Sequence, residues 1–179
     1  MRELFKEIPY LKGKRVTLRK LTAEDTEALR ELVNNDEIYR YLPTSLYEKK
    51  YDSVGYVIEH LYDECIKNSL ILGVFLGGEF CGLAEIYGYS KPDFKVSIGY
   101  RLLPAYWRRG IATETLSLLI GFLADETDIE KISASTMSEN KASAHILEKS
   151  GFKLEAHAVY EDWGYDTPKP TDKWILNIK

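Results

Sequence analysis

Val16 and Leu18 alternate with Arg15, Thr17 and Arg19, a period of two that predicts a strand with one buried face over about Lys14 to Leu21. Thr22 then offers an N-cap hydroxyl, Glu24 and Asp25 put negative charge at a helix start, and Ala28, Leu29, Leu32 and Val33 form an apolar stripe ending near Asn34. Past Pro43, Asp52 or Ser53 can cap a helix that carries Val54, Val57, Ile58, Leu61 and Cys65 on one face. Leu70 to Leu76 and Phe80 to Tyr87 predict two strands joined by Gly77-Gly78, and Lys91-Pro92-Asp93 turns the chain into a third, Lys95 to Leu103. Ile111, Leu116, Leu119, Ile120 and Leu123 mark a long helix from Ile111 to Ala124, followed by a strand from Ile129 to Thr136. A shorter helix, Lys141 to Lys149, is stopped by Gly151, and two terminal strands flank a turn near Gly164, with Asp166 to Thr171 read as irregular. This order predicts a mixed α+β fold, an antiparallel meander leading into one parallel crossover, in a single domain over residues 1–179.

Composition narrows the class. With 179 residues and 45% hydrophobic content the chain can bury one core without metal or disulfide. Its 24 basic and 28 acidic side chains, net -4, argue against a nucleic-acid partner and favour a cationic one such as an amine. Cys65 and Cys81 lie apart in apolar runs, which reads as core thiols in a reducing, cytoplasmic setting. His60, His145 and His157 share no ligand spacing, so no metal is expected. The N-terminus lacks a signal-like apolar core, and no apolar run is long enough to span a membrane.

The chemistry concentrates where the strand Lys95 to Leu103 passes through Pro104-Ala105-Tyr106-Trp107-Arg108-Arg109-Gly110 directly into a helix. A helix start presents unpaired N–H groups and the positive dipole end, Gly110 allows close approach, and Arg108 and Arg109 add permanent charge, a combination suited to an anion. On spacing alone, a capped helix with two solvated arginines accounts for it as well.

The wider pattern decides between them: x-x-x-Gly110-x-Ala112 after Gly99-Tyr100-Arg101-Leu102-Leu103-Pro104, then Asn140-x-x-Ser143, then Leu147-Glu148-Lys149-Ser150-Gly151-Phe152. This ensemble resembles the GNAT superfamily of N-acetyltransferases, in particular the branch that acetylates ribosomal-protein N-termini. The resemblance covers nearly the whole chain. It implies a central, mostly antiparallel seven-stranded sheet with a parallel, splayed central pair, flanked by about four helices. It also implies acetyl-CoA as cosubstrate, its pyrophosphate cradled by Arg108, Arg109, Gly110, Ile111, Ala112 and Thr113, and its pantetheine arm paired with backbone groups of Tyr100, Arg101, Leu102 and Leu103. Asn140 and Ser143 would face the same cleft.

Three positions depart from the pattern, the first being Trp107 at the first motif position, often Gln or Arg in the superfamily, although an aromatic there is familiar in the ribosomal-protein branch. Many relatives carry a tyrosine general acid where this chain has Leu147, which makes Ser143 the replacement candidate; the alternative is a serine satisfying a helix backbone group. An acid common before the Gly-Tyr pair is Ser97 here, which turns the search for a base to Glu85 and Glu161, with Asp162 or Asp166 attracting the cation. Each of these carboxylates, taken singly, also reads as a solvated surface group. Trp163 is the aromatic expected in an amine pocket, whereas Tyr39 and Tyr56 read as partial core, and Lys12, Lys14, Arg15, Arg19 and Lys20 as an outward strand face. The expected reaction is direct transfer of acetyl to a primary amine, on a small molecule or a protein N-terminus, in a ternary complex. The competing reading is a catalytically silent acyl-CoA-binding or sensory module. A monomer or a homodimer paired through the last hairpin are both open.

Overall fold

The computed structural model describes residues 7–65 and 69–179, the side chains of Glu64 and Cys65 excepted. The expectations placed on the first six residues and on Cys65 lie outside what is described. Eight strands form one sheet in the order β1-β2-β3-β4-β5-β6-β8-β7. The strands are β1 (Leu11–Lys12), β2 (Val16–Arg19), β3 (Ser69–Leu76), β4 (Glu79–Ser90), β5 (Lys95–Leu102), β6 (Lys131–Met137), β7 (Lys153–Glu161) and β8 (Lys169–Asn177). The helices are α1 (Thr26–Val33), α2 (Asp36–Tyr39), α3 (Val54–Cys65), α4 (Ile111–Glu126) and α5 (Lys141–Lys149).

Every strand pair is antiparallel except β5 with β6, so the anticipated parallel central pair is present. The strand count is eight, not seven, because Leu11–Lys12 forms a short edge pairing with Thr17 and Leu18. A second difference is the single turn α2, capped by Asn35, whose side chain accepts the N–H of Glu37; so short a stretch carries no apolar periodicity. A third is that Lys169, Pro170 and Thr171 belong to β8 and not to an irregular loop, with Thr171 fully buried beneath its pairing with Met137 and Val159.

The sheet is covered on both faces, and β3 shows how the sequence arranges this. Leu70, Leu72 and Val74 point to a core shared with Leu116, Leu119 and Leu123 of α4 and Leu147 of α5. Ile71 and Phe75 point the other way, into a core with Leu29 and Leu32 of α1 and Val57 and Leu61 of α3. A strand buried on both faces reads as a continuous apolar run, which Leu70-Ile71-Leu72 is. At the helix entries, Asp25 completes a capping box with Thr22, and the Ser53 hydroxyl accepts the N–H of Tyr56. Tyr56 is not core: it is exposed and stacked between Tyr51 and His60.

Candidate functional site

The parallel contact between β5 and β6 is short. It runs from Lys95 opposite Lys131 to Ser97 opposite Ser133, where the two serine hydroxyls lie 2.8 Å apart and share a hydrogen bond. Beyond them the strands part: β5 stays on β4 as far as Leu102, and β6 stays on β8 as far as Met137. The result is a cleft of about 400 Å³ with the unpaired edges of β5 and β6 on its two sides, floored by Leu116 and Leu147.

At the outer end of β5 the chain makes one 3₁₀ turn, Pro104–Tyr106, and enters α4. Arg108 at φ 58° and Gly110 at φ 76° both lie in the left-handed region, which reverses the backbone tightly before the helix. The first-turn N–H groups of α4 have no partner within the helix, and Gly110 caps it without a side chain. Arg108 is exposed and, among the described residues, makes no hydrogen bond or ion pair; Arg109 turns back to donate to the Ala105 carbonyl at 3.3 Å and lies over the Tyr106 ring. The Trp107 indole N–H donates to the Leu102 carbonyl at 2.7 Å, which fixes the start of the loop. Leu103 is already used, its N–H on Cys81 and its carbonyl under Tyr106, so the open edge is centred on Ile98 to Arg101. An anion cradle beside an open strand edge fits a long ligand with a diphosphate at one end and amide groups along its arm.

The inner part of the cleft gathers the titratable candidates. Ser143, Glu85 and Glu161 all line it, together with Asn140, Asp162 and Trp163. Asn140 is the N-cap of α5 and accepts the Ser143 N–H at 3.1 Å, so Asn140 and not Ser143 caps the helix. The Ser143 hydroxyl oxygen accepts from Tyr100 at 3.3 Å, which leaves the Ser143 proton free to point elsewhere. Burial raises the Tyr100 phenol, against a smaller opposing effect of this hydrogen bond, so it stays a donor.

Glu161 is held on both oxygens, by the Lys173 ammonium and by the Trp163 indole. Glu85 is held on one: its Oε2 accepts from Arg101 at 3.1 Å, and among the described residues Oε1 has no hydrogen bond. Arg101 is 4% exposed and also donates at 2.7 Å to Glu48, itself 2% exposed and bonded to the Tyr39 hydroxyl. Burial disfavours the guanidinium charge, but Glu48 and Glu85 outweigh it and drive the Arg101 pKa up. Among the residues that line the cleft, Glu85, Glu161 and Asp162 outnumber Arg101 and Lys173, which leaves its inner end net negative.

Sequence patterns missed Glu48, which no motif marks, and the Tyr100 side chain, expected there only through its backbone. The far wall was also unexpected. The Thr44 N–H and hydroxyl both donate to the Trp163 carbonyl, and the Tyr165 hydroxyl reaches the carbonyl of Leu42, joining the segment after α2 to the turn between β7 and β8. Trp163 is 8% exposed within this wall, while Asp166 lies outside the residues that line the cleft.

Comparison with known proteins completes the picture. A family model described as an acetyltransferase (GNAT) domain matches residues 15–153. The chain is 27% identical over 174 residues to the uncharacterized N-acetyltransferase YoaA of Bacillus subtilis (strain 168), covering 95% of this chain and 96% of that one. Its fold superposes on RimL, the ribosomal L7/L12 α-N-protein acetyltransferase in complex with coenzyme A, with a TM-score of 0.79 at 17% identity, over 94% of this chain and 98% of that one. It also superposes on the spermidine N-acetyltransferase from Vibrio cholerae, in complex with CoA and spermine, with a TM-score of 0.74 at 20% identity over 92% and 96% of the two chains. None of the described helices is long and apolar enough to cross a membrane.

Proposed function

The chain belongs to the GNAT acetyltransferase family, an acyl-CoA-dependent N-acetyltransferase with acetyl-CoA as cosubstrate, and from that premise we propose that it acetylates a primary amine by direct attack in the cleft between β5 and β6. The observation that carries this reading is the convergence of Ser143, Glu85 and Glu161 on one cleft at the parting of β5 and β6. RimL supports a protein α-amine as acceptor and the Vibrio cholerae enzyme a small-molecule amine, and the net-negative inner end suits either cation.

When bound, acetyl-CoA supplies an acetyl group activated as a thioester. Arg108, Arg109, the Gly110 N–H and the first-turn N–H groups of Ile111, Ala112 and Thr113 would hold the diphosphate, and the open backbone of β5 around Tyr100 and Arg101 would align the arm toward the parting of the strands. Asn140 fixes α5 so that Ser143 faces the reacting centre. Ser143 holds a proton at Oγ, backed by the Tyr100 hydroxyl, and takes the general-acid role that Leu147 cannot fill. Glu85 takes the proton of the incoming amine at its free Oε1, directly or through water, while Glu161 is held by Lys173 as part of the pocket wall. No cysteine lines this cleft among the described residues, and Cys81, fully buried with its thiol pushed up to about 11 by desolvation, is no nucleophile at neutral pH.

A Ser143→Ala enzyme tests this assignment. A thiol leaving group, with a pKa near 8.5, needs less acid help than an alkoxide, so kcat is expected to fall about tenfold, below the usual range for acid–base catalysis. The KM for acetyl-CoA stays at the wild-type value. Unchanged turnover removes Ser143 from the chemistry.

A further inference from the structure

Arg15 precedes β2, and its position does not fit an outward-facing strand residue. Its guanidinium crosses to the start of α4, where Nη1 donates to the Arg109 carbonyl at 3.1 Å and Nε donates to Glu114 Oε2 at 3.2 Å. Glu114 also accepts the backbone N–H of Arg15 at 2.7 Å and of Val16 at 3.0 Å through Oε1. Two glycines make room for this arrangement. A Cβ on Gly13 would lie 2.6 Å from Glu114 Oε1, and a Cβ on Gly110 would lie 3.1 Å from Arg15 Nη2.

Glu114 stands in the first turn of α4, next to Thr113 and one turn beyond Gly110, beside the groups that would cradle the diphosphate. A carboxylate there is favourable to the helix dipole but repels a bound polyanion. Arg15 removes that conflict, because the same guanidinium that holds the loop carbonyl also cancels the Glu114 charge. Its side chain is still 52% exposed, and Nη2 carries no hydrogen bond among the described residues.

We propose that Arg15 is a positioning residue of the cofactor site: it straps the turn before β2 to the loop Trp107–Gly110 and masks Glu114, so that the cradle accepts a diphosphate. This rests on the reading of that loop as the diphosphate site. Such a strap acts on the phosphate end of the ligand and leaves the reacting centre untouched.

The experiment compares two acetyl donors, acetyl-CoA and acetyl-pantetheine, which lacks the diphosphate, in wild type, Arg15→Gln, Arg15→Lys and the double variant Arg15→Gln, Glu114→Gln. Binding of CoA and of pantetheine is measured by calorimetry beside the kinetics. Arg15→Gln should raise the KM for acetyl-CoA and the Kd for CoA about tenfold, the loss of one charge-assisted hydrogen bond. Its kcat and every acetyl-pantetheine constant should stay within about twofold of wild type. Arg15→Lys keeps the charge but cannot bridge the carbonyl and the carboxylate together, so it should fall between the two. The double variant should recover part of the affinity because the unmasked carboxylate is gone. Equal losses for both donors, or no loss for acetyl-CoA, would overturn the role of Arg15. Wild-type protein that binds CoA no better than pantetheine would instead overturn the diphosphate site itself.

Discussion

A Glu85→Gln enzyme is expected to lose about 100-fold in kcat/KM for its amine at neutral pH, the lower end of what a positioned proton acceptor contributes. The substitution is nearly isosteric, and the amide oxygen of glutamine can still accept from Arg101, so the cleft keeps its shape while losing its base. The loss should depend on pH in a diagnostic way. An α-amine has a pKa near 7.7 to 8.0 and a lysine-like amine one near 10.4, so at neutral pH much of the acceptor carries a proton that must be removed. Raising the pH through the acceptor's own pKa supplies neutral amine from solution, and the variant should recover toward wild type. Acetyl-CoA binding should not change. A variant that keeps wild-type rates from about pH 6.5 to about pH 9 would show that Glu85 takes no proton, and Glu161 would be tested next.

Arg101→Met is expected to cost about 3 to 5 kcal/mol of stability, because it strands the buried Glu48 carboxylate and frees Glu85 of its partner. For a chain of this size that lowers the melting temperature by roughly 6 to 20 °C. Glu48→Gln should be milder, since the Tyr39 hydroxyl and Arg101 can both still bond a glutamine side chain, and it restores a one-to-one balance of charge between Arg101 and Glu85. The same cluster connects β5 to the 3₁₀ turn Tyr47–Lys49, so in any folded Arg101→Met protein the amine KM should rise more than the acetyl-CoA KM. A melting temperature within about 2 °C of wild type would mean that the cluster relaxes through water and holds nothing.

The parts legible in the sequence are those set by neighbours along the chain. Gly110 ahead of Ile111, Leu116 and Leu119 announces the start of α4 because only a left-handed residue ends the loop there and the apolar spacing is local. The end of α5 at Lys149 and its stop at Gly151 follow from the same logic. Ser143, Glu85 and Glu161 were nameable as candidates because motif context marks the first and strand position the others, but nothing in the chain shows that they share a cleft. Glu48 was invisible because its partner Arg101 lies 53 residues away and its own segment has no apolar period. Arg15 was misread for a different reason. Alternation assigns faces within a strand, but β2 begins at Val16, so the residue before it is free to swing toward α4, 99 residues distant at Glu114.

Direct transfer, as proposed, requires one cleft to bring acetyl-CoA and a primary amine together at once. The direct measurement is a grid of initial rates, varying acetyl-CoA against each member of a panel of peptides with free N-termini and small primary amines, with the acetylated product identified by mass. Direct transfer predicts acetylated amine from at least one panel member and reciprocal plots that intersect. Parallel plots with an acetylated enzyme accumulating in a burst would contradict it, because they require a covalent relay, and among the described residues no cysteine lines the cleft.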